Sequence, residues 1–413
     1  MIIKGTAYIE GDYENCYIGI EKGNIEFVKK SLKTTEEIKR FDGVILPAGT
    51  DVHVHFRDPG MTEKEDFYTG SVSAACGGIT TVMDMPNTEP PTDSYRRLKE
   101  KKRMGEEKSV IDFGLYGLLS EDIAEMKELT DFFKVYLAPS TGAEALEEDE
   151  LKDLLRKADS MGAEVAFHCE DREQFEGPPG EDISGHNRHR PLKSELEAVE
   201  RVKDLPGERK YICHLTAEES LEKVKEAGYI GEVTPHHLFL SEDAFLGPHG
   251  KVNPPLRNDL QRYHLWEAFE REKVPIVASD HAPHLEEEKE DFEDAPSGVP
   301  GVETTYPLLL NEVARGKMSM STVVKTIALN PAKRLGLKKG KIEEGYRADL
   351  INFDFRENEP INPENLHYKC GWTPFEGFQA IFPRRVISKG KIIVEDKQFV
   401  GEKGEGEYLK KLK

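Results

Sequence analysis

Short apolar runs alternate with amphipathic stretches eight times along the chain, and this alternation constrains the fold more than any other feature. The apolar runs cover residues 44–55, 79–85, 110–118, 132–137, 163–168, 211–214, 230–234 and 274–280. Helix-like segments lie between them, for example residues 149–161, 194–203, 217–226 and 261–273. Eight β–α units in succession are typical of a closed barrel of parallel strands. We therefore predict an α/β fold based on a (β/α)8 TIM barrel.

The two ends of the chain follow a different pattern. Residues 1–46 and the C-terminal part alternate short β-like runs with turns and glycines. We predict one small β-rich domain built from both termini, residues 1–46 and 346–413, with the barrel inserted as residues 47–345. The acidic stretch 286–294 follows the eighth apolar run. It reads as a mobile loop, although a solvated surface run is the commoner meaning of such charge.

Composition excludes several classes of function. The chain has 413 residues, and its 57 Lys and Arg against 78 Asp and Glu give a net charge of −21. A nucleic-acid-binding protein would need the opposite sign, at least locally. The sequence contains no run of eighteen apolar residues, so a membrane span is not expected. Residues 1–6 do not resemble a signal peptide, and the five cysteines are scattered, so we expect reduced thiols and a cytoplasmic location.

Histidines collect at the predicted C-terminal ends of the strands, where the working residues of such a barrel stand. The first strand ends with His53, Val54 and His55. Because side chains alternate along a strand, both imidazoles point to the same side and can chelate a metal ion. The fifth and sixth strands each end with one histidine, His168 and His214. Either one alone would more often be a hydrogen-bonded core residue, but together they suggest a second metal ion.

Two further residues could complete such a site. Asp280 ends the eighth strand and can ligate a metal with one oxygen and pass a proton with the other. Lys134 lies in the fourth strand, where a cation beside metal ions is costly unless it is neutralised. Reaction of its amine with carbon dioxide would give an anionic carbamate able to bridge two metals, whereas alone it would more often reach solvent. Because neighbours alternate faces, Cys169 and Cys213 are not expected among the ligands.

These residues, in this order on strands one, four, five, six and eight, resemble the amidohydrolase superfamily. Longer motifs resemble its dihydroorotase branch. They are D-V-H-V-H-F-R-D-P-G at residues 51–60, M-P-N-T at 85–88, V-N-P-P-L-R at 252–257, S-D-H-A-P-H at 279–284 and G-V-P-G-V-E-T at 298–304. The resemblance covers nearly the whole chain. For the substrate, its most diagnostic part is the R-D-P-G sequence that follows the two histidines.

The resemblance implies a zinc-dependent cyclic amide hydrolase that interconverts N-carbamoyl-L-aspartate and (S)-dihydroorotate plus water in de novo pyrimidine biosynthesis. It implies two Zn²⁺ ions per chain, bridged by carboxylated Lys134 and a hydroxide, with Asp280 as general acid and base. The implied metal ligands are His53, His55, Lys134, His168, His214 and Asp280. The implied substrate-binding residues are Arg57, Asn87, Asn253 and His284. An arginine can grip the substrate carboxylate with two parallel hydrogen bonds.

Several alternatives stay open. An allantoinase or hydantoinase on the same scaffold would use the same chemistry, and a non-catalytic structural relative would keep the fold without the ligands. The resemblance leaves open a homo-oligomer and an association with aspartate carbamoyltransferase. His236 and His237, after the seventh strand, are interpreted as structural residues or as hydrogen-bond partners of the ligands. For Arg57, the alternative is a surface salt bridge with Asp58.

Overall fold

The computed structural model describes residues 1–139 and 145–409. Its strands, in chain order, are β1 (Ile2–Ile9), β2 (Asp12–Glu21), β3 (Asn24–Lys29), β4 (Ile38–Pro47), β5 (Gly49–Val54), β6 (Ile79–Asp84), β7 (Asp112–Leu115), β8 (Gly117–Leu118), β9 (Phe132–Tyr136), β10 (Glu164–His168), β11 (Lys210–Ile212), β12 (Ile230–Val233), β13 (Ile276–Val277), β14 (Leu350–Phe353), β15 (Glu359–Pro360), β16 (Gln379–Ala380), β17 (Arg385–Ser388), β18 (Lys391–Glu395) and β19 (Gln398–Phe399). Its α-helices are α1 (Phe67–Cys76), α2 (Tyr95–Lys108), α3 (Ile123–Met126), α4 (Glu148–Ser160), α5 (Ile183–His189), α6 (Leu192–Asp204), α7 (Glu218–Glu226), α8 (Pro235–Phe239), α9 (Asp259–Glu270), α10 (Thr305–Ala314), α11 (Met320–Val324) and α12 (Asn330–Arg334).

One eight-stranded sheet contains strands from both ends of the chain. Its order is β19-β18-β17-β14-β4-β1-β2-β3. Strand β4 joins the two ends, because β1 pairs with it in parallel and β14 pairs with it in antiparallel orientation. An apolar core that includes Ile3, Ile18, Ile45 and Leu350 packs on this sheet. A separate β-rich sheet is thus present, and the domain boundaries after residues 46 and 345 stay predictions.

The expected parallel strands are present, but their hydrogen bonds run through two sheets. Strands β5, β6 and β7 form one sheet, and β8 to β13 form the other in consecutive order. An isolated parallel bridge between Val54 and His281 links the first of these strands to the segment after the last. The parallel α/β fold is therefore confirmed. One continuous closed sheet is not detected within the described residues, because β8 and β13 at its edges have two residues each and offer few pairing groups.

Helices cover the parallel strands, each with one apolar face. In α4 the buried residues Leu151, Leu154, Leu155 and Ala158 recur at the three- and four-residue spacing of one helix face. Three acidic residues in its first turn complement the helix dipole. The largest apolar core contains these side chains together with strand residues such as Val165. In the part of the chain that the structure describes, no helix combines the length and apolarity that a bilayer crossing requires.

The candidate site residues lie in or just beyond the C-terminal ends of the parallel strands. Strand β5 ends at Val54, β10 at His168 and β11 at Ile212. Since the strands are parallel, these ends lie at one edge of the sheets. Just beyond the strands, His214 and Asp280 have φ values of 38° and 46°. The backbone has left strand geometry at both residues, so the alternation of faces no longer fixes where neighbouring side chains point.

Candidate active site

Nearly all the predicted site residues meet in one pocket at the C-terminal ends of the parallel strands. The predicted residues that line it are His53, His55, Arg57, Asn87, Lys134, His168, His214, Asn253 and Asp280. The remaining lining residues are Tyr136, His236, Val252, Ala282, Ser297, Gly298 and Val299. His284 does not line the pocket, because it lies against Arg57 instead. The structure thus brings together residues that are up to 227 positions apart in the sequence.

The first-strand group consists of His53, His55 and Asp280. The Nε2 atoms of the two histidines lie 3.2 Å apart. Oδ1 of Asp280 lies 3.2 Å from Nε2 of His53 and 3.1 Å from Nε2 of His55. The expected parity of the two histidines holds. His53 lies in β5 and His55 directly follows it, where its amide still donates to the carbonyl of His281 and keeps the backbone extended. Three ligand atoms that converge in this way form a group able to hold a metal ion.

The fifth-strand pair consists of His168 and His214. Nδ1 of His168 lies 3.0 Å from Nε2 of His214, and both side chains are buried. The pair lies beside the first-strand group, since the ring centroids of His53 and His214 are 5.5 Å apart. Two sets of candidate metal ligands therefore share one pocket.

Burial sets the protonation of these imidazoles. It lowers the pKa of His55 to about 3 and moves the pKa of His214 well below its ordinary value. A neutral imidazole keeps the lone pair that a metal ion needs. Burial acts in the same direction on His53, but the carboxylates of Asp280 and Glu232 outweigh it and raise the pKa. Burial alone would raise the pKa of Asp280, yet the neighbouring imidazoles hold it well below its usual range.

Lys134 is buried among these groups, with its side chain 1% exposed, so it does not reach solvent. Its Nζ lies 2.9 Å from Sγ of Cys213 and 5.1 Å from the centre of the Tyr136 ring. Its positive charge adds to burial in lowering the pKa of both His168 and His214. The amine therefore stands close to the fifth-strand pair, in a place where an uncompensated cation is unfavourable.

The expectation that Cys213 points away from the site is wrong. Its Sγ contacts Lys134, and Cys213 forms a further group of possible ligands with His53 and Glu232. Strand β11 has ended before Cys213, and the next residue has a positive φ, so the alternation rule does not apply. Cys169 does behave as expected, because it packs in the apolar core.

Glu232 is a site residue that sequence reasoning missed. It is fully buried on β12, and its Oε1 contacts Nδ1 of His53. Its Oε2 accepts a hydrogen bond of 2.6 Å from the hydroxyl of Tyr211. A carboxylate on the second nitrogen of a ligand histidine fixes the ring orientation and the tautomer. The available signal was an acidic residue inside a buried strand, where an unpaired charge is too costly to persist.

Glu170 and Arg190 are two further site residues that sequence reasoning missed. Oε2 of Glu170 lies 2.8 Å from Nε2 of His168, which leaves Nδ1 of that ring to face the pocket. Arg190 donates to both oxygens of Glu170, at 3.0 and 2.8 Å. Burial alone would raise the pKa of Glu170, but Arg190 and His168 hold it far below its usual range. The sequence feature that could have identified Glu170 was its position two residues after the candidate ligand His168.

Arg57 lies at the pocket wall and is buried, with 2% of its surface exposed. Its Nε donates to the carbonyl of Pro283 at 3.2 Å, and its Nη2 lies 3.1 Å from Nε2 of His284. The alternative of a salt bridge with Asp58 is wrong, because Asp58 pairs with Lys108 at 2.5 Å. Burial lowers the pKa of Arg57 from its ordinary value. The guanidinium is thus held in place by neutral partners and borders the pocket as a cation.

The two asparagines line the pocket and make different contacts behind it. Oδ1 of Asn87 lies 2.5 Å from Nδ1 of His55, so Asn87 orients that ring. The side chain of Asn253 lies against Nε2 of His186. With its amide group donating to that nitrogen, its oxygen accepts from Nη1 of Arg190 at 3.2 Å. Arg190 therefore connects Asn253 to the carboxylate that orients the fifth-strand pair.

The histidines after β12 behave differently from each other. His237 is a structural residue, since its Nδ1 lies 2.7 Å from the hydroxyl of Thr234 and its Nε2 lies 3.0 Å from the carbonyl of Pro254. His236 instead lines the pocket, and within the described residues neither of its ring nitrogens has a hydrogen-bond partner. Burial lowers its pKa to about 4, so it contributes a neutral, unpaired imidazole to the wall.

Comparison with known protein families identifies the class. The sequence profile described as "Amidohydrolase family" matches residues 44–393, which is most of the chain. The chain therefore belongs to the amidohydrolase family. The donor atoms in the pocket agree with this membership, because imidazole nitrogens with a carboxylate oxygen suit zinc and similar divalent cations.

Similar sequences refine the assignment within that family. Proteins named dihydroorotase from Methanosarcina mazei and Thermoplasma acidophilum are each 38% identical to the chain. The first similarity covers 98% of this chain and 97% of the relative, and the second covers 95% and 94%. At this identity and coverage, the chain groups with the dihydroorotases of the amidohydrolase family.

Solved structures give a similar picture of the fold. An L-hydantoinase (dihydropyrimidinase) from Arthrobacter aurescens superimposes with a TM-score of 0.93 at 25% identity, covering 99% of each chain. A D-hydantoinase (dihydropyrimidinase) from Thermus sp. superimposes with a TM-score of 0.88 at 26% identity, covering 99% of this chain and 98% of the other. These enzymes share the architecture at lower sequence identity than the dihydroorotases.

Proposed function

We propose that this enzyme is a dihydroorotase, which reversibly interconverts N-carbamoyl-L-aspartate and (S)-dihydroorotate plus water in pyrimidine biosynthesis. The observation that carries the proposal is the buried Arg57 guanidinium at the wall of the pocket. Within the described residues, no carboxylate forms an ion pair with it, since Asp58 pairs elsewhere. Dihydroorotate keeps one carboxylate outside the reacting amide, and a guanidinium binds such a group with two parallel hydrogen bonds.

The donor set supports two divalent cations, and we propose Zn²⁺. The first-strand group would hold one ion, the fifth-strand pair would hold the other, and Lys134 would bridge them as a carbamate. The ammonium group of Lys134 first loses one proton, and the neutral amine then combines with carbon dioxide to form the carbamate and release a second proton. The reaction thus replaces a buried cation with an anion. When bound, the ions supply water of lowered pKa and polarise the amide carbonyl.

Asp280 moves the proton in this scheme. In the hydrolytic direction it accepts a proton from the attacking water and passes it to the ring nitrogen as the carbon–nitrogen bond breaks. The hydroxyl group of that water stays on the former carbonyl carbon as part of a new carboxyl group, which releases its proton to solvent and becomes a carboxylate. Because Oδ1 contacts His53 and His55, we assign the proton transfer to Oδ2. Ring closure uses the same groups in reverse.

The remaining pocket residues position the substrate. Arg57 would take the carboxylate, and His284 and the carbonyl of Pro283 hold its guanidinium in place. Asn253 and Asn87 line the same pocket and present amide groups to a ring that carries both donors and acceptors. In a chain of net charge −21, a local cation is required to bind an anionic substrate.

A hydantoinase activity is the second candidate, because solved hydantoinases share the fold over nearly the whole chain. The chemistry would be the same amide cleavage, and the difference would lie in what the pocket wall recognises. A simple hydantoin carries no carboxylate outside its ring, so Arg57 would have no partner in that complex. The position of Arg57 therefore favours the carboxylated substrate.

We also propose that the two parallel sheets are parts of one eight-stranded barrel. Strands β5, β6, β7, β9, β10, β11, β12 and β13 follow one another in the order that such a barrel requires. Tyr116 alone separates β7 from β8, which pairs with β9. Between the end of β5 and the segment after β13, the amide of His55 donates to the carbonyl of His281 at 2.8 Å. A small β-rich domain from residues 1–46 and 346–413 would complete the chain.

Parallel assays with dihydroorotate, N-carbamoyl-L-aspartate, allantoin and unsubstituted hydantoin test the function. We expect turnover of the first two and little of the others, and we expect a chelator to abolish it and added Zn²⁺ to restore it. Metal analysis should give about two ions per active pocket. Preferential turnover of hydantoin would instead support the second candidate, and full activity in the metal-free protein would overturn the metal assignment.

A further inference from the structure

A second cluster of metal-ligand side chains lies outside the catalytic pocket. It consists of Cys76, Glu303 and His367, whose possible ligand atoms all lie within 4.8 Å of one another. Sγ of Cys76 lies 3.7 Å from Nε2 of His367. Oε1 of Glu303 lies 2.7 Å from Nδ1 of the same ring. None of the three side chains lines the pocket that holds His53 and Asp280.

Backbone packing brings the three residues together. Cys76 is the last residue of α1, and Gly77 follows it. A side chain at Gly77 would meet the backbone carbonyl of Glu303 at 2.6 Å, so the absence of a side chain permits this close approach. The backbone amide of His367 then donates to Oε2 of Glu303 at 2.8 Å. The cluster therefore joins a barrel helix, the segment after β13 and the C-terminal part of the chain.

Glu303 determines which nitrogen of His367 is available. Because its Oε1 accepts from Nδ1–H, the lone pair of the ring is on Nε2, on the side of Cys76. A carboxylate–histidine pair of this kind orients the ligand nitrogen in metal sites. A tetrahedral zinc ion separates a bound sulfur from a bound nitrogen by about 3.5 Å, from its usual bond lengths. The observed 3.7 Å is close to that separation.

The cluster borders a cavity that favours cations. The cavity has a volume of about 530 Å³ and is lined by four carboxylates, those of Glu303, Glu359, Glu364 and Asp396. The lysine in its wall, Lys397, pairs with Glu359 at 2.8 Å. The His367 side chain is 26% exposed, so the cavity gives access to the cluster from solvent. An ion bound here would complete its coordination with water or with a cavity carboxylate.

We propose that Cys76, His367 and Glu303 form a separate site for one borderline-soft divalent cation of the zinc class, with Sγ and Nε2 as ligands and Glu303 as the residue that orients the ring. The site does not depend on the catalytic assignment, because it shares no residue with that pocket. Its bound ion would link α1 to the C-terminal segment. The same segment donates from Nε1 of Trp372 to the carbonyl of His284, the residue that holds Arg57.

A nucleophilic thiol is the rival interpretation of the same geometry, and electrostatics disfavour it. Burial and the neighbouring Glu303 carboxylate raise the pKa of the Cys76 thiol well above its ordinary value. A reactive cysteine needs the opposite environment, because the thiolate is the nucleophile. A bound divalent cation removes this obstacle, since a coordinating thiol is deprotonated outright.

Cadmium titration of the full-length protein tests the site, because a cadmium–thiolate bond has an ultraviolet charge-transfer band. We expect wild-type protein to show this band and Cys76→Ser to lose it, together with one bound ion per chain. Cys370→Ser is the matched control, since Cys370 is also buried but belongs to none of the possible ligand groups among the residues described here, and its thiol donates to the carbonyl of Trp372. Catalytic activity should be unchanged in both variants, which shows that they are folded.

Cys213 must be separated from Cys76, because it lies in the catalytic pocket near His53. A band that persists in Cys76→Ser and disappears in Cys213→Ser would assign the ion to the catalytic pocket and overturn the proposal. His367→Ala provides an independent measurement, because it removes the second proposed ligand and leaves the thiol in place. We expect this variant to require a higher cadmium concentration for the same band. A titration identical to that of wild-type protein would also overturn the proposal.

Discussion

In each of the two sets of candidate metal ligands, a buried carboxylate orients one histidine, but the partner of that carboxylate differs between the sets. In the first-strand group, Glu232 orients His53, and the neutral hydroxyl of Tyr211 satisfies its other oxygen. In the fifth-strand pair, Glu170 orients His168, and the guanidinium of Arg190 satisfies both of its oxygens. Each set therefore has a buried carboxylate behind a ligand histidine, but the partner of that carboxylate is neutral in one set and charged in the other.

This difference predicts that metal binding is linked to substrate binding at the fifth-strand pair and not at the first-strand group. Glu232 and Tyr211 lie on the strands β12 and β11, and neither lines the pocket. Arg190 lies beyond α5 and also contacts Asn253, which does line it. We therefore expect substitutions of Glu232 or Tyr211 to affect metal binding alone. Substitutions of Glu170 or Arg190 should affect metal binding and substrate binding together.

The largest effect is expected for Asp280→Ala. The change removes a ligand of the first-strand group and the proposed proton carrier, so we expect kcat to fall by on the order of 10²–10⁴-fold or more. Asp280→Asn, which keeps the shape of the side chain, should be nearly as inactive. Steady-state kinetics at saturating Zn²⁺ measures this loss. Substantial turnover by either variant would remove Asp280 from proton transfer.

Arg57→Lys should raise KM for dihydroorotate by roughly 10- to 100-fold, because a charge-assisted pair of hydrogen bonds is replaced by a weaker contact. Metal content should stay the same, since Arg57 contacts neither ligand set directly. Lys108→Met, which removes the partner of neighbouring Asp58, is the control for local disturbance. An unchanged KM in Arg57→Lys would mean that the substrate carboxylate binds elsewhere.

Glu170→Gln and Glu232→Gln form the central test of the comparison. Each should weaken metal binding by about 10- to 100-fold, because the ligand ring loses its orienting carboxylate. KM, measured with metal in excess, should rise in Glu170→Gln alone, since Arg190 loses its partner and Asn253 moves with it. Competition with a metal-binding dye gives the affinity, and kinetics gives KM.

The control for these two variants is Asp112→Asn, which disturbs a buried contact with Lys339 outside the pocket. It should lower stability without changing either quantity. A rise in KM of the same size in Glu170→Gln and Glu232→Gln would break the proposed distinction between the two ligand sets.

The smallest effect is expected for Tyr211→Phe, which removes the neutral hydrogen bond to Glu232. The loss of about 1 kcal/mol corresponds to roughly fivefold weaker metal binding. Arg190→Lys should have the larger effect of the two, because it replaces the two donors that hold Glu170. If Tyr211→Phe were the more damaging change, the charge of the partner would not be the feature that distinguishes the two sets. Metal titration of both variants under identical conditions decides this.

Local pattern was sufficient where the chain keeps regular geometry. His53 and His55 were placed on one side, because the amide of His55 still pairs with His281 directly after β5, and α4 was expected from its amphipathic pattern. The same rule failed at Cys213, one residue after β11 ends. The pattern also predicted a closed barrel, but one continuous sheet is not detected within the described residues, because the length of β8 and β13 depends on tertiary packing.

The sequence by itself determined the order of the parallel strands, the residue types at their C-terminal ends and the family resemblance, since all of these depend on short-range periodicity and motifs. The tertiary structure decided which side chains stand behind the ligands. Glu232 contacts His53, which is 179 residues away in the chain, and nothing local marks this pairing. It also decided the contact of Cys76 with His367, which are 291 residues apart. Burial turns these pairings into constraints, because a carboxylate or imidazole removed from water must find a partner across the fold.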